Sequence, residues 1–225
     1  MPERRKAPAI IMTDKQKIWA VIFDCDGVLF DSRQANINFY NHLLSRYGLP
    51  PLAEEQVDYV HMHTAEKAVR YIFEGTGLTE EAQSYRMQMD YTPFIKDMVM
   101  EPGLKGLLRK LKPVAGLAVA TNRSNTIEAV LDYNDLGGFF DIVVSSLDVE
   151  RPKPHPESLR KILEFFALRP EQAVYVGDSQ VDVETARAAG THFIAYGNGG
   201  LSAGFQAATM AELEAVLVKL EKALS

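Results

Sequence analysis

A chain of 225 residues with 47% hydrophobic content can bury one ordinary core and a small second domain, which excludes disorder throughout. Its formal charge of −6 and its scattered Lys and Arg residues offer no basic surface, so neither nucleic acid nor an anionic membrane is expected as partner. The one cysteine, Cys25, rules out an intramolecular disulfide and points to a reducing, cytoplasmic compartment.

The opening stretch MPERRKAPAIIMTDKQK carries charge, too short an apolar run for a secretion signal and no small-residue cleavage site, so 1–16 is expected to be a flexible tail. No apolar run approaches the roughly 18 residues of a membrane helix. IWAVIF (18–23) reads as the first strand, followed by DCDGVLFDS, in which Asp31 and Ser32 are placed to cap the next helix. From there to Pro102 no strand is expected. Helical segments at 34–47, 53–60, 64–74 and 79–91 are broken by Gly48-Leu49-Pro50-Pro51 and Gly75-Thr76-Gly77, and Phe39, Leu43 and Tyr47 with Tyr40 and Leu44 form one broad apolar face. A compact domain does not tolerate a structureless connection of that length, so the interval predicts an inserted helical bundle.

Beyond it, strands are expected at GLAVA (116–120), DIVVS (141–145), AVYVG (173–177) and HFIAY (192–196). Pro102 ahead of Leu104, Leu107, Leu108 and Leu111, Ser124 ahead of Ile127, Val130 and Leu131, and Pro156 ahead of Leu159, Ile162 and Phe166 mark helix starts; Gly190 marks an end, and an amphipathic segment runs from Met210 to Leu224. Near-continuous apolar strands alternating with helices predict an α/β fold: a Rossmann-like, doubly wound parallel sheet with an inserted helical-bundle cap domain. The catalytic core is expected at 17–32 and 101–225, and the cap at 33–100.

Asp24 and Asp26 stand one residue apart at the end of the first strand, and alternation puts both on one side beyond its edge. Two unit charges about 4 Å apart repel by about 4 kcal/mol at an effective dielectric of about 20, and nothing nearby in sequence offsets that. In a parallel sheet, the residues after each strand converge on the same edge. These are Thr121-Asn122-Arg123 after the second strand, Lys153 in ERPKPHPE after the third, and Asp178 to Asp182 in GDSQVD after the fourth. Clustered carboxylates with few His suit a hard cation, Mg²⁺, completed by waters and a substrate phosphate. Lys153, stiffened by Pro152 and Pro154, can reach an acid and a phosphate oxygen, while Thr121 and Asn122, near a helix N-terminus, can bind further phosphate oxygens.

DCDGVLFDS, the Thr121-Asn122 pair, KPHPE from Lys153 and GDSQVD from Gly177 resemble, in this order, the four motifs of the haloacid dehalogenase-like (HAD) superfamily of phosphohydrolases. The resemblance spans about residues 18–200, and the place of the insert is similar to the subclass with phosphoglycolate phosphatases and β-phosphoglucomutases. It implies that Asp24 is the nucleophile of an aspartyl-phosphate and that Asp26 is the general acid and base, its backbone carbonyl on Mg²⁺. It further implies that Asp178 is a metal ligand, that Asp182 supports it, and that Gly27 lets the chain turn sharply. The expected activity is hydrolysis of a small organic phosphate ester. A phosphosugar mutase on the same scaffold is the alternative, and a phospho-receiver module ranks below both.

Cys25 is expected to be a buried spacer turned from the acids, and His42, His155 and His192 to be structural. Met62, Met87, Met89, Met98 and Met100 are expected to pack in the bundle. In VHMHT (60–64), Thr64 can cap the following helix, and His61 and His63, alternating in an extended loop, are candidates for reading the substrate beyond its phosphate.

Overall fold

The computed structural model describes residues 19–224, so the expected tail over 1–16 and the start of the first strand lie outside the described residues. The chain forms β1 (Ala20–Phe23), β2 (Phe30–Asp31), α1 (Arg33–Arg46), α2 (Glu54–Met62), α3 (Ala65–Ile72), α4 (Thr79–Gln88), α5 (Thr92–Ile95) and β3 (Val99–Met100). It continues through α6 (Leu104–Leu111), β4 (Gly116–Ala120), α7 (Ile127–Tyr133), β5 (Ile142–Val144), α8 (Glu157–Phe166), β6 (Ala173–Gly177), α9 (Gln180–Ala189), β7 (His192–Tyr196), β8 (Phe205–Ala207) and α10 (Met210–Leu224).

Six strands make one parallel sheet in the order β5-β4-β1-β6-β7-β8. Strand β1 lies inside it, with Ala20 beside Gly116 on one flank and Ala173 on the other. Alternation divides β1 between two cores. Val21, Phe23 and then Cys25 join the core beneath α6, α7 and α10, whereas Ala20 and Ile22 join the one beneath α8 and α9. With apolar layers on both faces, the strands read as unbroken hydrophobic runs, as a sheet covered on both sides requires. No helix among the described residues is long and apolar enough to cross a membrane.

Several local expectations need correction. The interval before Pro102 does contain a strand: β3 pairs antiparallel with β2, Phe30 opposite Met100 and Asp31 opposite Val99, where the chain leaves and re-enters the sheet domain. Strands this short, like β8, carry no readable periodicity. The expected 79–91 helix stops at Gln88, because Met89 is extended and Pro93 opens the separate short α5. Pro102 lies just outside α6, whose cap position is Gly103. Ser124 does not cap α7, which starts three residues later, with Thr126 at the cap position. Pro156 and Gly190 do bound α8 and α9, and Gly190 has φ of 79°, a conformation in which a side chain would be strained.

Five helices, α1 to α5, occupy the interval between β2 and β3. Phe39 is their packing centre, meeting Tyr40, Tyr91 and Phe94 edge-on at centroid separations of 5.1, 5.3 and 5.5 Å. Met98 is buried, but Met62 and Met87 are each 41% exposed, so these two do not serve the packing expected of them.

Leu117 in β4 is fully buried in the sheet's core, so Leu117→Ala should cost about 2–5 kcal/mol in urea unfolding. The exposed Val99 gives the control: Val99→Thr should stay within about 0.5 kcal/mol of the parent.

Candidate active site

The C-terminal ends of β1, β4 and β6 open onto a cleft whose opposite wall comes from α1, α2 and α4. Asp24, Asp26, Thr121, Asn122, Lys153, Asp178, His61 and His63 all line it. Gly27 and Asp182 stand behind it.

Asp24 follows β1 directly and is nearly buried, its backbone N–H held by the Val176 carbonyl at 2.9 Å. Its Oδ1 accepts from the Cys25 N–H at 2.7 Å and meets Lys153 Nζ at 2.9 Å. No hydrogen bond to Oδ2 is present among the described residues. Burial pushes this carboxyl well above the usual carboxylate range, Lys153 opposes that, and the neighbouring acids reinforce it.

Lys153 Nζ is buried and threefold partnered: Asp24, Asp182 Oδ1 at 2.7 Å and the Tyr175 hydroxyl at 2.8 Å. Burial alone would depress the ammonium, but Asp182 and Asp24 hold it above its ordinary value. Asp182 is fully buried and fully occupied. Its Oδ1 takes Lys153 and the Tyr175 hydroxyl (2.7 Å), and its Oδ2 takes the Ser179 hydroxyl (2.6 Å). Although burial works against its charge, Lys153, Ser179 and Tyr175 keep its pKa below the ordinary value.

Asp26 has a cation of its own. Arg123 grips its carboxylate through Nε at 2.8 Å and Nη2 at 2.7 Å, and the Ser32 hydroxyl donates to Oδ1. Burial is outweighed, and Asp26 is held below the usual range. The repulsion between Asp24 and Asp26 is therefore met by two bases remote in sequence. Ser32 consequently does not cap α1 as expected; Asp31 does part of that work, its Oδ1 accepting from the Arg33 N–H at 3.1 Å.

Counting formal charges, Asp24, Asp26, Asp178 and Asp182 are ion-paired, among the described residues, only with Lys153 and Arg123. Two negative charges remain. One oxygen each of Asp24, Asp178 and Asp182 lies within 4.8 Å of the others, and with Asp182 committed to its hydrogen bonds, Asp24 and Asp178 are the pair free to hold a divalent cation. Burial first, and then the charge of Asp182, pushes Asp178 up to about 7. Gly27 makes this arrangement possible: its φ is 77°, and a Cβ built there would lie 1.9 Å from Asp178 Oδ2.

Thr121 and Asn122 differ in detail from expectation. The Thr121 N–H is spent on the Val144 carbonyl at 3.0 Å, and its Oγ1 accepts from the Arg123 N–H at 3.1 Å, which leaves the hydroxyl proton for the cleft. The Asn122 side chain donates to the Lys153 carbonyl at 3.3 Å and fastens that loop, while its Oδ1 is buried without a partner. α7 begins at Ile127, and Thr126 at its cap position lines the same cleft. His61 lies in the last turn of α2, not in an extended loop, with Nδ1 3.0 Å from Asn36 Nδ2. His63 stacks on Tyr59 at a centroid separation of 4.0 Å and shares a hydrogen bond with the Tyr59 carbonyl at 2.9 Å. Thr64 caps α3 as expected, accepting from the Lys67 N–H at 3.3 Å. Cys25 is fully buried.

Residues 21–196 match the family model described as haloacid dehalogenase-like hydrolase. The chain belongs to this family. It is 32% identical over 187 residues to the pyrophosphatase PpaX of Bacillus cereus, covering 78% of this chain and 81% of that protein. It is 29% identical over 195 residues to the phosphoglycolate phosphatase of Pseudomonas putida, covering 82% and 70%. Among solved structures it is similar to a subfamily IA HAD-superfamily hydrolase from Geobacter sulfurreducens, with TM-score 0.78, 39% identity, and 88% and 98% of the two chains covered. The family and an enzyme of the phosphatase kind, expected from the four motifs, and the α/β fold, expected from apolar strands alternating with helices, agree with these findings.

The proton on Asp178 gives a test of the cation site. Between the ordinary 3.8 and about 7, the metal-free fold keeps a proton that the unfolded chain has lost, so its stability falls as pH rises through that window. A bound cation replaces the proton, so saturating Mg²⁺ should raise Tm more at about pH 8 than at about pH 6. Asp178→Asn should remove most of that increment, and equal increments at both pH values in the parent protein would count against the site.

Proposed function

We propose that the chain is a cytoplasmic, Mg²⁺-dependent phosphatase that cleaves a small organic phosphate monoester, of phosphoglycolate or sugar-phosphate type, through an aspartyl-phosphate on Asp24. The observation that carries this reading is the asymmetry of Asp24: Oδ1 is pinned by Lys153 and the Cys25 N–H, while Oδ2 has no such bond and Asp24 lines the cleft. A carboxyl so held is aimed, and the adjacent Lys153 ammonium favours its ionised form against burial.

In the first step an Asp24 oxygen forms a bond to phosphorus as the ester P–O bond breaks, and Lys153 and the Thr121 hydroxyl bind the phosphoryl oxygens. A Mg²⁺ held by Asp24 and Asp178, with the Asp26 carbonyl, would supply positive charge against those oxygens. Asp26 then serves twice. As acid it gives the leaving oxygen a proton; as base it takes one from the water that attacks the phospho-enzyme. Gripped by Arg123 and Ser32, Asp26 is an ionised acceptor suited to the second role, and the first requires the guanidinium to withdraw so that a proton can be carried. Asp182 keeps Lys153 charged and aimed. The helices over 33–100 act as a cap on the core of 17–32 and 101–225, with His61 and His63 on the side of the leaving group. The names of the relatives, a pyrophosphatase and a phosphoglycolate phosphatase, support water rather than a second sugar as the phosphoryl acceptor.

Asp24→Asn keeps the shape but not the nucleophile, and should lower turnover of p-nitrophenyl phosphate by at least about 1,000-fold with the fold intact. Chelation with EDTA should stop the parent enzyme and Mg²⁺ restore it; near-native rates in either experiment would refute the covalent, metal-dependent mechanism. Asp26→Ala should separate leaving groups in single-turnover measurements: p-nitrophenolate hardly needs a proton, so its release should suffer at least about tenfold less than that of an alkoxide. Equal losses would remove the acid role.

A further inference from the structure

Three cations line the cleft, and two of them are accounted for: Lys153 by Asp24 and Asp182, Arg123 by Asp26. The third, Arg86 on α4, is more than nine-tenths buried. No carboxylate of the described residues reaches it within ion-pair distance. Its Nε donates to Gln83 Oε1 at 2.6 Å, and Nη1 has only a long contact of 3.4 Å to Ser124 Oγ and a bond of 3.3 Å to the weakly accepting Met87 Sδ. No hydrogen bond of Nη2 is present among the described residues. Glu66, the acid whose charge it feels, is turned to Arg70 at 3.3 Å. Burying a guanidinium against neutral partners is costly, and desolvation here pulls its proton affinity below the ordinary value. A fork of donors held in this way inside a ligand cleft suits a planar or tetrahedral oxyanion. Its position is also informative. Arg86 comes from the helical insert and touches Ser124, next in chain to the Arg123 that holds Asp26, so it lies on the wall facing the acids and outside the phosphoryl contacts of Lys153 and Thr121.

We infer that Arg86 is a specificity-determining residue that binds a second anionic group, a carboxylate or a second phosphate, on the leaving portion of the substrate. This rests on the phosphatase reading above and narrows it: esters with an anionic leaving group are favoured over neutral alkyl phosphates. The anion completes the guanidinium's missing pairing and brings α4 against the loop after β4, so the correct substrate itself draws the two walls of the cleft together.

The test compares 2-phosphoglycolate, 1,3-propanediol bisphosphate and ethyl phosphate in the parent, Arg86→Gln and Arg86→Lys proteins. The parent should prefer at least one of the two anionic-tail esters over ethyl phosphate in kcat/KM. In Arg86→Gln that preference should fall by about 30-fold, mostly through KM, and Arg86→Lys should recover part of it. The ester whose preference collapses tells whether the second group is a carboxylate or a phosphate. A parent without such preference, or a preference that survives Arg86→Gln, overturns the assignment. Thermal protection of the parent by 2-phosphoglycolate, by the bisphosphate and by ethyl phosphate needs neither turnover nor a folded variant: protection no greater by either anionic-tail ester than by ethyl phosphate also overturns it. Absence of turnover on p-nitrophenyl phosphate would instead defeat the phosphatase reading, leaving the protection measurement to decide on Arg86.

Discussion

Lys153 Nζ, between Asp24, Asp182 and the Tyr175 hydroxyl, is the contact that allows acids to gather at the end of the sheet. The three partners come from the end of β1, the first turn of α9 and the middle of β6, so one ammonium ties together a central strand, its neighbour and a helix on the face beyond. Removing one member of a buried ionic group leaves an uncompensated charge at a cost of about 3–5 kcal/mol. Asp182 therefore does two things at once. It caps its own helix through Ser179 and keeps the lysine charged, so Asp24 receives a fixed partner without surrendering both oxygens.

The second ion pair, Arg123 with Asp26, works differently. It lies at the boundary between the sheet and the helical insert, and Arg123 also stands 5.2 Å from the Tyr91 ring of the insert. Ser32, at the exit toward α1, donates to the same carboxylate. The partners of Asp26 thus belong to the core stretches 17–32 and 101–225, but Arg123 also packs on the insert through Tyr91, whereas the partners of Asp24, Cys25 and Lys153, lie wholly within the sheet domain. Rearrangement of the insert would change what Arg123 packs against and leave the partners of Asp24 in place.

Five of the six sheet strands were legible because they lie in apolar runs; β8, three residues long, was not. The acids were legible because the ends of parallel strands share one edge. The same reasoning pointed to Lys153. Arg123 was equally available to it, standing directly after Thr121 and Asn122, but no local spacing announces a partner 97 residues away. Ser32 was misread because a hydroxyl ahead of a helix ordinarily caps it; here a nearby carboxylate competes and wins. The VHMHT segment was read as a loop, yet nothing breaks α2 before His63, and the cap supplied by Thr64 starts the next helix immediately afterwards. Arg86 gave no sequence signal at all. A lone arginine on a helix looks like any solvated residue until the packing removes its water.

Cys25 is fully buried, one peptide from Asp24, with burial pushing its thiol well above the ordinary value. Since the chain has no other cysteine, a thiol-reactive probe finds no accessible target until the sheet itself comes apart. The rate of maleimide capture then reports global opening and passes over the fluctuations of the insert. A cysteine engineered at an exposed position such as Val99 becomes a singly addressable handle for a fluorophore, so the approach of the insert to the sheet can be followed without first removing the native thiol.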